Sequence, residues 1–198
     1  MITIGLTGGI ATGKSTVAQI MREELNIPVI DADQVSRDVV AKGSPGLAAL
    51  VKAFGAKILR EDGTLNRKAL GLLVVGDAVA RRKLEGLTHP LIREEIEARL
   101  TALEGGGAAV AVVEAALMVE TGSFRFYDEL IVVSCQPEIQ LKRLMARENL
   151  SEGQAMQWLA TQLPLSRKEA VATSIIRNDG ELEALQSLVH QAWQQIQY

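Results

Sequence analysis

The chain has few of the residues that would indicate a secreted, redox-active or membrane protein. Cys135 is the only cysteine among its 198 residues, so neither an internal disulfide nor a cysteine-rich zinc site can form. Its place after the apolar run 130–133 indicates simple packing. No run is apolar for the length of a bilayer, and nothing at the start resembles a signal peptide. We therefore expect a cytoplasmic protein that contacts no membrane.

The chain also lacks a net positive charge and sequence repeats. The formal net charge of −3 excludes a generally basic surface for nucleic acid, although a small polyanionic substrate needs only a local cluster of arginines. No internal repeat or low-complexity segment stands out, and no Asn-Lys-x-Asp guanine signature is present, which disfavours a GTPase switch. With 47% hydrophobic residues, the composition suits one α/β core that carries a subsidiary lobe.

The most informative motif that is present spans residues 8–15 and fits the pattern G-x-x-x-x-G-K-[ST]. A strand-like run precedes it and a helical run follows it, as a phosphate-binding loop requires. Backbone N–H groups would surround the phosphates of ATP, while Lys14 would reach the β- and γ-oxygens and the Ser15 hydroxyl would bind Mg²⁺. The alternative is a glycine-rich turn with a solvated lysine. The predicted nucleotide-binding residues are Gly8, Gly9, Ile10, Ala11, Thr12, Gly13, Lys14, Ser15 and Thr16.

Strand-like runs alternate with helical patterns along the chain. They occur at Ile2–Leu6, Pro28–Ile30, Ala109–Val113, Leu130–Val133 and Ser174–Ile176. This alternation predicts the α/β P-loop NTPase fold, with a five-stranded parallel sheet flanked by helices. The interval after the second strand is too long for one crossover. We therefore predict a nucleotide-binding core at 1–33 and 104–198, an inserted helical substrate lobe at 34–103, and a helical lid at 140–168.

Carboxylates follow two of the predicted strands and should meet at the carboxyl edge of the sheet, where open α/β folds bind ligands. Asp33 either accepts or orients the proton of an attacking hydroxyl, or caps the helix that follows. Asp31 could assist the metal shell through water. Glu114 either supports the metal or is a solvated strand end. Arg37 either binds a substrate anion or pairs with a neighbouring aspartate.

The region after the fourth strand carries candidate lid residues. Arg143 and Arg147 are four residues apart, hence on one helix face, where they could stabilise the transferring phosphoryl group. The alternative is surface pairing with nearby glutamates. Ser151 and Gln154 have the spacing of a capping box at the start of a second helix. Asn178 could touch the adenine ring or form an ordinary turn.

Together these residues resemble the dephospho-coenzyme A kinases, a family of P-loop nucleoside and nucleotide kinases. The resemblance runs along nearly the whole chain. It is carried by Ile4–Ile10, Gly13–Ser15, Ile30–Asp33 with Arg37, Leu65–Arg67, His89–Ile92, Leu117–Glu120, Gln140–Leu144 with Arg147, Gln162 and Ile176–Asn178. It implies transfer of the ATP γ-phosphate to the ribose 3′-hydroxyl of dephospho-coenzyme A, the last step of coenzyme A synthesis. The alternatives are a kinase for another small hydroxyl acceptor and a nucleotide-sensing module.

The same resemblance implies residue roles. By this resemblance, Asp33 matches the family's catalytic base, and Arg143 and Arg147 match its phosphate ligands on the lid. The implied substrate-binding residues are Asp33, Arg37, Asn66, Arg67, His89, Leu117 and Glu120. The chain departs from the family at Ala116–Val119, where Pro-Leu-Leu-Phe is usual, and near the fifth strand, where an Ala-Asp pair is usual and this chain has Ala172-Thr173-Ser174. We expect a monomer or a weak homo-oligomer that binds no nucleic acid.

Overall fold

The computed structural model describes residues 1–196, so Gln197 and Tyr198, the end of the predicted core, lie outside the described residues. The chain divides into two compact units. The core unit comprises 1–31 and the chain from Leu103 onwards, and the helical unit comprises 32–102. These limits differ by one or two residues from the predicted core and lobe. Within residues 1–196, no helix is long and apolar enough to cross a membrane.

Five parallel strands form the sheet of the core unit, as predicted. They are β1 (Ile2–Gly8), β2 (Val29–Asp31), β3 (Val110–Glu114), β4 (Glu129–Ser134) and β5 (Ser174–Arg177), in the spatial order β2-β3-β1-β4-β5. β1 extends two residues beyond the predicted run because Thr7 and Gly8 remain paired with β4. The ends of β1 and β3 are therefore neighbours, which brings the phosphate-loop motif beside Glu114.

Nine α-helices lie within the described part of the chain. They are α1 (Lys14–Glu23), α2 (Ala32–Asp38), α3 (Pro45–Phe54), α4 (Arg67–Val74), α5 (Ala78–Gly105), α6 (Pro137–Glu148), α7 (Glu152–Leu159), α8 (Leu165–Glu169) and α9 (Leu182–Ile196). In the core unit, α1 and α9 cover one face of the sheet. Alternate strand residues such as Ile4, Leu6 and Ile131 point to that face and are fully buried there. This packing anchors the beginning of α1 directly after the motif.

The helical unit has its own apolar core, formed by Val40, Leu47, Leu50, Ile58, Leu65 and Leu70. Side-chain caps start two of its helices: Ser44 Oγ accepts from the Leu47 N–H before α3, and Asn66 Oδ1 accepts from the Ala69 N–H before α4. The long helix α5 contains Pro90, which has no N–H to donate to the preceding turn. The helix ends at Gly105, and Gly107 adopts a φ of +85°, so the glycine run closes α5 as predicted.

Candidate active site

The phosphate-loop motif forms the turn between β1 and α1. Gly13 precedes α1 with a φ of +94°, a conformation that favours glycine. A Cβ at this position would also collide with the side-chain amide of Asn178. Thr12 Oγ1 donates to the Gly9 carbonyl at 2.9 Å, and Asn178 Nδ2 donates to the Thr12 carbonyl at 2.8 Å. The loop is therefore held from inside the protein, which leaves its other side for a ligand.

No side chain of the described residues caps the N-terminus of α1. The first N–H groups of a helix have no partner within the helix, and the helix dipole adds positive potential there. Such an end is suited to bind an anion such as phosphate. The predicted role of the loop residues in binding nucleotide stays a prediction.

Lys14 and Ser15 share one carboxylate oxygen at this end of the sheet. Lys14 Nζ donates to Glu114 Oε1 at 2.5 Å, and Ser15 Oγ donates to the same oxygen at 3.2 Å. The side chains of Lys14 and Glu114 are only 12% and 8% exposed, so their attraction is weakly screened by water. Glu114 is thus not the solvated strand end that the sequence left open. Asp31 is paired with Glu114 in the register of β2 and β3, as expected from strands that end at the same edge.

The oxygen atoms of Ser15 and Glu114 also form the donor set available to a magnesium ion. No group of three or more His, Cys, Asp or Glu residues that could hold a metal occurs in residues 1–196. Mg²⁺ prefers oxygen ligands and usually keeps several waters, binding to one or two protein groups together with substrate phosphates. A hydroxyl and a carboxylate beside a phosphate loop fit this requirement.

Arg143 lies on α6 and binds two backbone carbonyls of the segment that follows β5. Its Nη1 donates to the Asn178 carbonyl at 2.7 Å, and its Nη2 donates to the Gly180 carbonyl at 3.0 Å. Because Asn178 in turn supports Thr12, these contacts connect α6 to the phosphate loop. The predicted phosphate contact of Arg143 and the predicted adenine contact of Asn178 stay predictions.

Arg147 occupies the last turn of α6, where its Nε donates to Glu148 Oε1 at 2.9 Å. This is the surface pair that the sequence offered as an alternative. The Arg147 side chain is 55% exposed, and exposed ion pairs contribute little, so the pair does not prevent Arg147 from binding an anion. The predicted capping box at the start of α7 is present, with Ser151 and Gln154 bonded to each other's backbone N–H groups.

Two glutamines hold the backbone of Ile10 within the loop. Gln162 Oε1 accepts from the Ile10 N–H at 3.0 Å, and Gln140 Nε2 donates to the Ile10 carbonyl at 2.8 Å. Both belong to the predicted lid region. The sequence pointed to these glutamines only through the family resemblance, and it gave no signal that they contact the loop.

Lys168 is a functional candidate that sequence reasoning missed. It is fully buried, and its ammonium binds Glu120 and the carbonyls of Ala116 and Gly8. Glu120, which the resemblance implied as a substrate ligand, also accepts from the Leu163 N–H at 3.0 Å. Its carboxylate therefore binds groups of the core unit, which favours a positioning role.

Leu117 is nearly half exposed, as a residue in the wall of a cleft would be, whereas Met118 is buried in the core. At the other departure from the family, Thr173 Oγ1 bonds to both the N–H and the carbonyl of Leu130. Thr173 therefore secures the edge between β4 and β5 without an acid.

The remaining candidate residues lie in the helical unit. Asp33 is the second residue of α2, which begins at Ala32 and not near Gln34, so the alternative role of Asp33 as a helix cap is wrong and its chemical role stays a prediction. Asp38 accepts from Arg99 and Gln34, which does not favour its pairing with Arg37.

Asn66 uses its side chain to cap α4, and Arg67 is the first residue of that helix. Partial burial and the nearby charge of Arg37 lower the pKa of Arg67. Two positive charges that lie close enough to repel each other attract an anion, so Arg37 and Arg67 are suited to bind one. His89 lies exposed in the middle of α5.

A family model described as dephospho-CoA kinase matches residues 2–184. A dephospho-CoA kinase of Geobacter sulfurreducens is 46% identical over 193 residues, which cover 98% of each chain. Among solved structures, a Thermus thermophilus protein matches with a TM-score of 0.85 and 29% identity, covering 100% of this chain and 98% of its own. A dephospho-CoA kinase from Campylobacter jejuni matches with a TM-score of 0.74 and 29% identity over 98% of this chain and 96% of its own.

Proposed function

The chain belongs to the dephospho-CoA kinase family, and we propose that it transfers the γ-phosphate of ATP to the ribose 3′-hydroxyl of dephospho-coenzyme A. The products are ADP and coenzyme A, so this is the last step of coenzyme A biosynthesis. The observation that carries the proposal is the convergence of Lys14, Ser15 and Glu114 at an uncapped helix end after a buried parallel strand.

At the ATP end of the reaction, the loop N–H groups bind the phosphates and Lys14 contacts the β- and γ-oxygens. Lys14 must then share or exchange its bond to Glu114. Ser15 and Glu114 are the residues that would hold Mg²⁺, which would supply positive charge beside the phosphates of ATP. Lys14 and the loop thus orient the γ-phosphate for attack.

At the acceptor end, Asp33 orients the 3′-hydroxyl and accepts its proton as the new bond to phosphorus forms. Because the transition state of phosphoryl transfer can be loose, the proton can leave late, and the orienting role is then the larger one. The helical unit supplies the acceptor contacts. They are assigned to Arg37, Asn66, Arg67 and His89, with the two arginines suited to the anionic groups of the substrate.

The lid contributes positive charge and excludes water. Arg147 exchanges its surface partner Glu148 for the transferring phosphoryl group, an interaction that strengthens as charge is redistributed. Arg143 binds the Asn178 carbonyl and thereby keeps α6 in a fixed position relative to the phosphate loop. We assign the protein to the cytoplasm, as a monomer or weak homo-oligomer with dephospho-coenzyme A as its small-molecule partner.

An acceptor panel tests this proposal. The full chain is incubated with ATP, Mg²⁺ and one of four compounds: dephospho-coenzyme A, adenosine, another nucleoside or shikimate. ADP formation should depend on dephospho-coenzyme A, and Lys14→Ala serves as the control for contaminating kinases. A higher rate with another acceptor would assign a different kinase activity, and ATP binding without stimulation by any acceptor would indicate a nucleotide-sensing module.

A further inference from the structure

Lys168 is a buried cation close to the phosphate loop. It lies on α8, and its side chain has no exposed surface. A lysine ammonium has three donor hydrogens, and burial without partners would be costly. Three groups accept them: the Ala116 carbonyl at 2.7 Å, Glu120 at 2.8 to 3.0 Å, and the Gly8 carbonyl at 3.4 Å. The donor capacity of Lys168 is therefore used completely.

The two carbonyls belong to the ends of neighbouring strands. Gly8 is the last residue of β1 and the first of the phosphate loop, whereas Ala116 follows the end of β3 by two residues. Thr7 Oγ1 also donates to the Ala116 carbonyl, at 3.2 Å. Lys168 thus connects the start of the loop to the segment that immediately follows Glu114.

This connection bears on the site because Glu114 binds Lys14 and Ser15 across the same two strand ends. The position of the Glu114 carboxylate relative to the loop depends on how these ends are joined. A cation that bonds to both ends fixes their relative position, and the low-dielectric surroundings strengthen each of its bonds. Burial lowers the pKa of Lys168, and the charge of Glu120 acts in the opposite direction and favours the ammonium form.

Glu120 extends the connection to the chain that joins α7 and α8. One oxygen of Glu120 accepts from the Leu163 N–H. Gln162, which precedes Leu163 in the chain, accepts from the Ile10 N–H of the loop. Leu165 packs close to Gly9 as well. The segment 162–168 therefore contacts the first three residues of the loop at several points.

We propose that Lys168 is a positioning residue for phosphoryl transfer: together with Glu120, it fixes the phosphate loop relative to Glu114 and to the α7–α8 connection. The inference rests on the proposed function for its kinetic readout. The Lys168 side chain has no exposed surface, and it acts through the Gly8 and Ala116 carbonyls. Its removal should therefore displace Lys14 and Ser15 from Glu114 while leaving the acceptor contacts in the helical unit in place.

Lys168→Met tests this, because it keeps the apolar stem and removes the ammonium. Assayed well below its unfolding temperature, the variant should lose at least about tenfold in kcat, since small misplacements of reacting groups can cost up to about 100-fold. KM for dephospho-coenzyme A should change less than about threefold, as expected when only transition-state interactions are lost. Lys168→Arg, which keeps the charge, should retain more turnover than Lys168→Met.

The matched control is Asp128→Ala, which removes bonds to Thr3 at the opposite end of β1. It should lower the unfolding temperature and leave kcat near that of the unaltered protein. Amide hydrogen exchange supplies a readout that does not depend on the acceptor. Lys168→Met should speed exchange in residues 8–13 and 115–120 and leave β5 unchanged, whereas Asp128→Ala should not affect the loop.

If Lys168→Met does not fold, Glu120→Gln carries the same test because it removes the negative charge that binds Lys168, and Lys168→Arg remains the variant expected to retain turnover. A folded variant with kcat within about twofold of the unaltered protein, or with unchanged exchange in the loop, would overturn the inference. A failure of the proposed function would be seen differently: the unaltered protein would not phosphorylate dephospho-coenzyme A, while the exchange comparison would still decide the role of Lys168.

Discussion

The Lys14 ammonium lies 2.5 Å from Glu114 Oε1, although the two residues are 100 positions apart in the chain. The parallel pairing of β1 with β3 brings them together, because both strands end at the same edge of the sheet. Ser15 shares the same oxygen. The contact therefore places the predicted phosphate ligand, the predicted metal ligand and an acid in one cluster.

Glu114→Gln should weaken Mg²⁺ binding at the proposed metal site while preserving the fold. The amide oxygen can still accept from Lys14 and Ser15, but the negative charge is lost. The Mg²⁺ concentration for half-maximal turnover should rise by about 10–100-fold, the usual cost of losing a group that supports a metal. Initial rates measured against Mg²⁺ at saturating ATP check this.

Glu138→Gln is the control, since Glu138 is an exposed glutamate in the first turn of α6. An unchanged Mg²⁺ dependence of Glu114→Gln would remove Glu114 from the metal site.

Lys14→Ala should reduce turnover far more than stability. The helix end and loop N–H groups keep part of the phosphate site, but the positive charge that Lys14 would place next to the β- and γ-oxygens is lost. Because about 1.4 kcal/mol in the barrier corresponds to tenfold in rate, turnover at saturating ATP and Mg²⁺ should fall below about a tenth. Lys142→Ala, at an exposed lysine on α6, is the matched control. Retention of more than a tenth would show that Lys14 does not have the assigned role.

Arg147→Ala should lower kcat while leaving ATP binding nearly unchanged. Its surface bond to Glu148 contributes little to stability, and its contact with the phosphoryl group matters most in the transition state. Calorimetric titration with ATP, alongside steady-state kinetics, separates the two effects. If ATP binding were lost in parallel with turnover, Arg147 would be a ground-state ligand or a structural residue.

Arg143→Ala should behave differently from Arg147→Ala. It removes two charged donors from the Asn178 and Gly180 carbonyls, so the free energy of unfolding should fall by about 1–3 kcal/mol. Chemical denaturation measures this loss. An unfolding free energy equal to that of the unaltered protein would contradict the positioning role of Arg143.

Asp33→Asn keeps the side-chain volume and removes the ability to accept a proton. Loss of a general base typically costs about 10²–10⁴ in rate. Because Asp33 lies in the first turn of α2, loss of its charge should cost only about 0.3–1 kcal/mol in stability. Turnover and thermal midpoint can be measured on one preparation. Near-normal turnover would limit Asp33 to stabilising its helix, and an intermediate loss would indicate an orienting group.

The contribution of Asp128 to the free energy of unfolding should be lost in acid. Bonds from the Thr3 N–H and hydroxyl hold its pKa below the ordinary 3.8 in the folded protein, so its contribution is present above about pH 4 and is lost as the pH falls through the lowered pKa. The difference in unfolding midpoint between the unaltered protein and Asp128→Ala should therefore be larger at pH 7 than at a pH below the lowered pKa of Asp128. A difference that did not shrink in acid would contradict the assigned bonds.

The sequence predicted the parts of the fold that depend on local pattern. Apolar runs indicated all five strands, and the spacing of Ser151 and Gln154 indicated the capping box. It did not reveal the contacts of Lys168, because a lysine between Arg167 and Glu169 in a polar segment is typical of an exposed helix. Its partners Gly8 and Ala116 are 160 and 52 residues away, and only the tertiary fold brings them together.

The start of α2 shows a second limit of sequence reasoning. Asp33 has the chemistry of a helix cap, and the pattern could not show that the helix begins two positions earlier than expected, which makes Asp33 a first-turn residue. The structure begins the helix at Ala32, directly after β2 ends at Asp31. Because no residue separates β2 from α2, Asp33 falls inside the helix.

Identification of the product tests the central claim most directly. The full chain is given equal amounts of ATP and dephospho-coenzyme A with Mg²⁺, and the products are examined by phosphorus NMR and mass spectrometry. We predict one new phosphomonoester per ADP formed, located on the ribose 3′-oxygen, and none with Lys14→Ala. ADP released without a phosphorylated acceptor, or a phosphate on another oxygen, would contradict the proposed reaction.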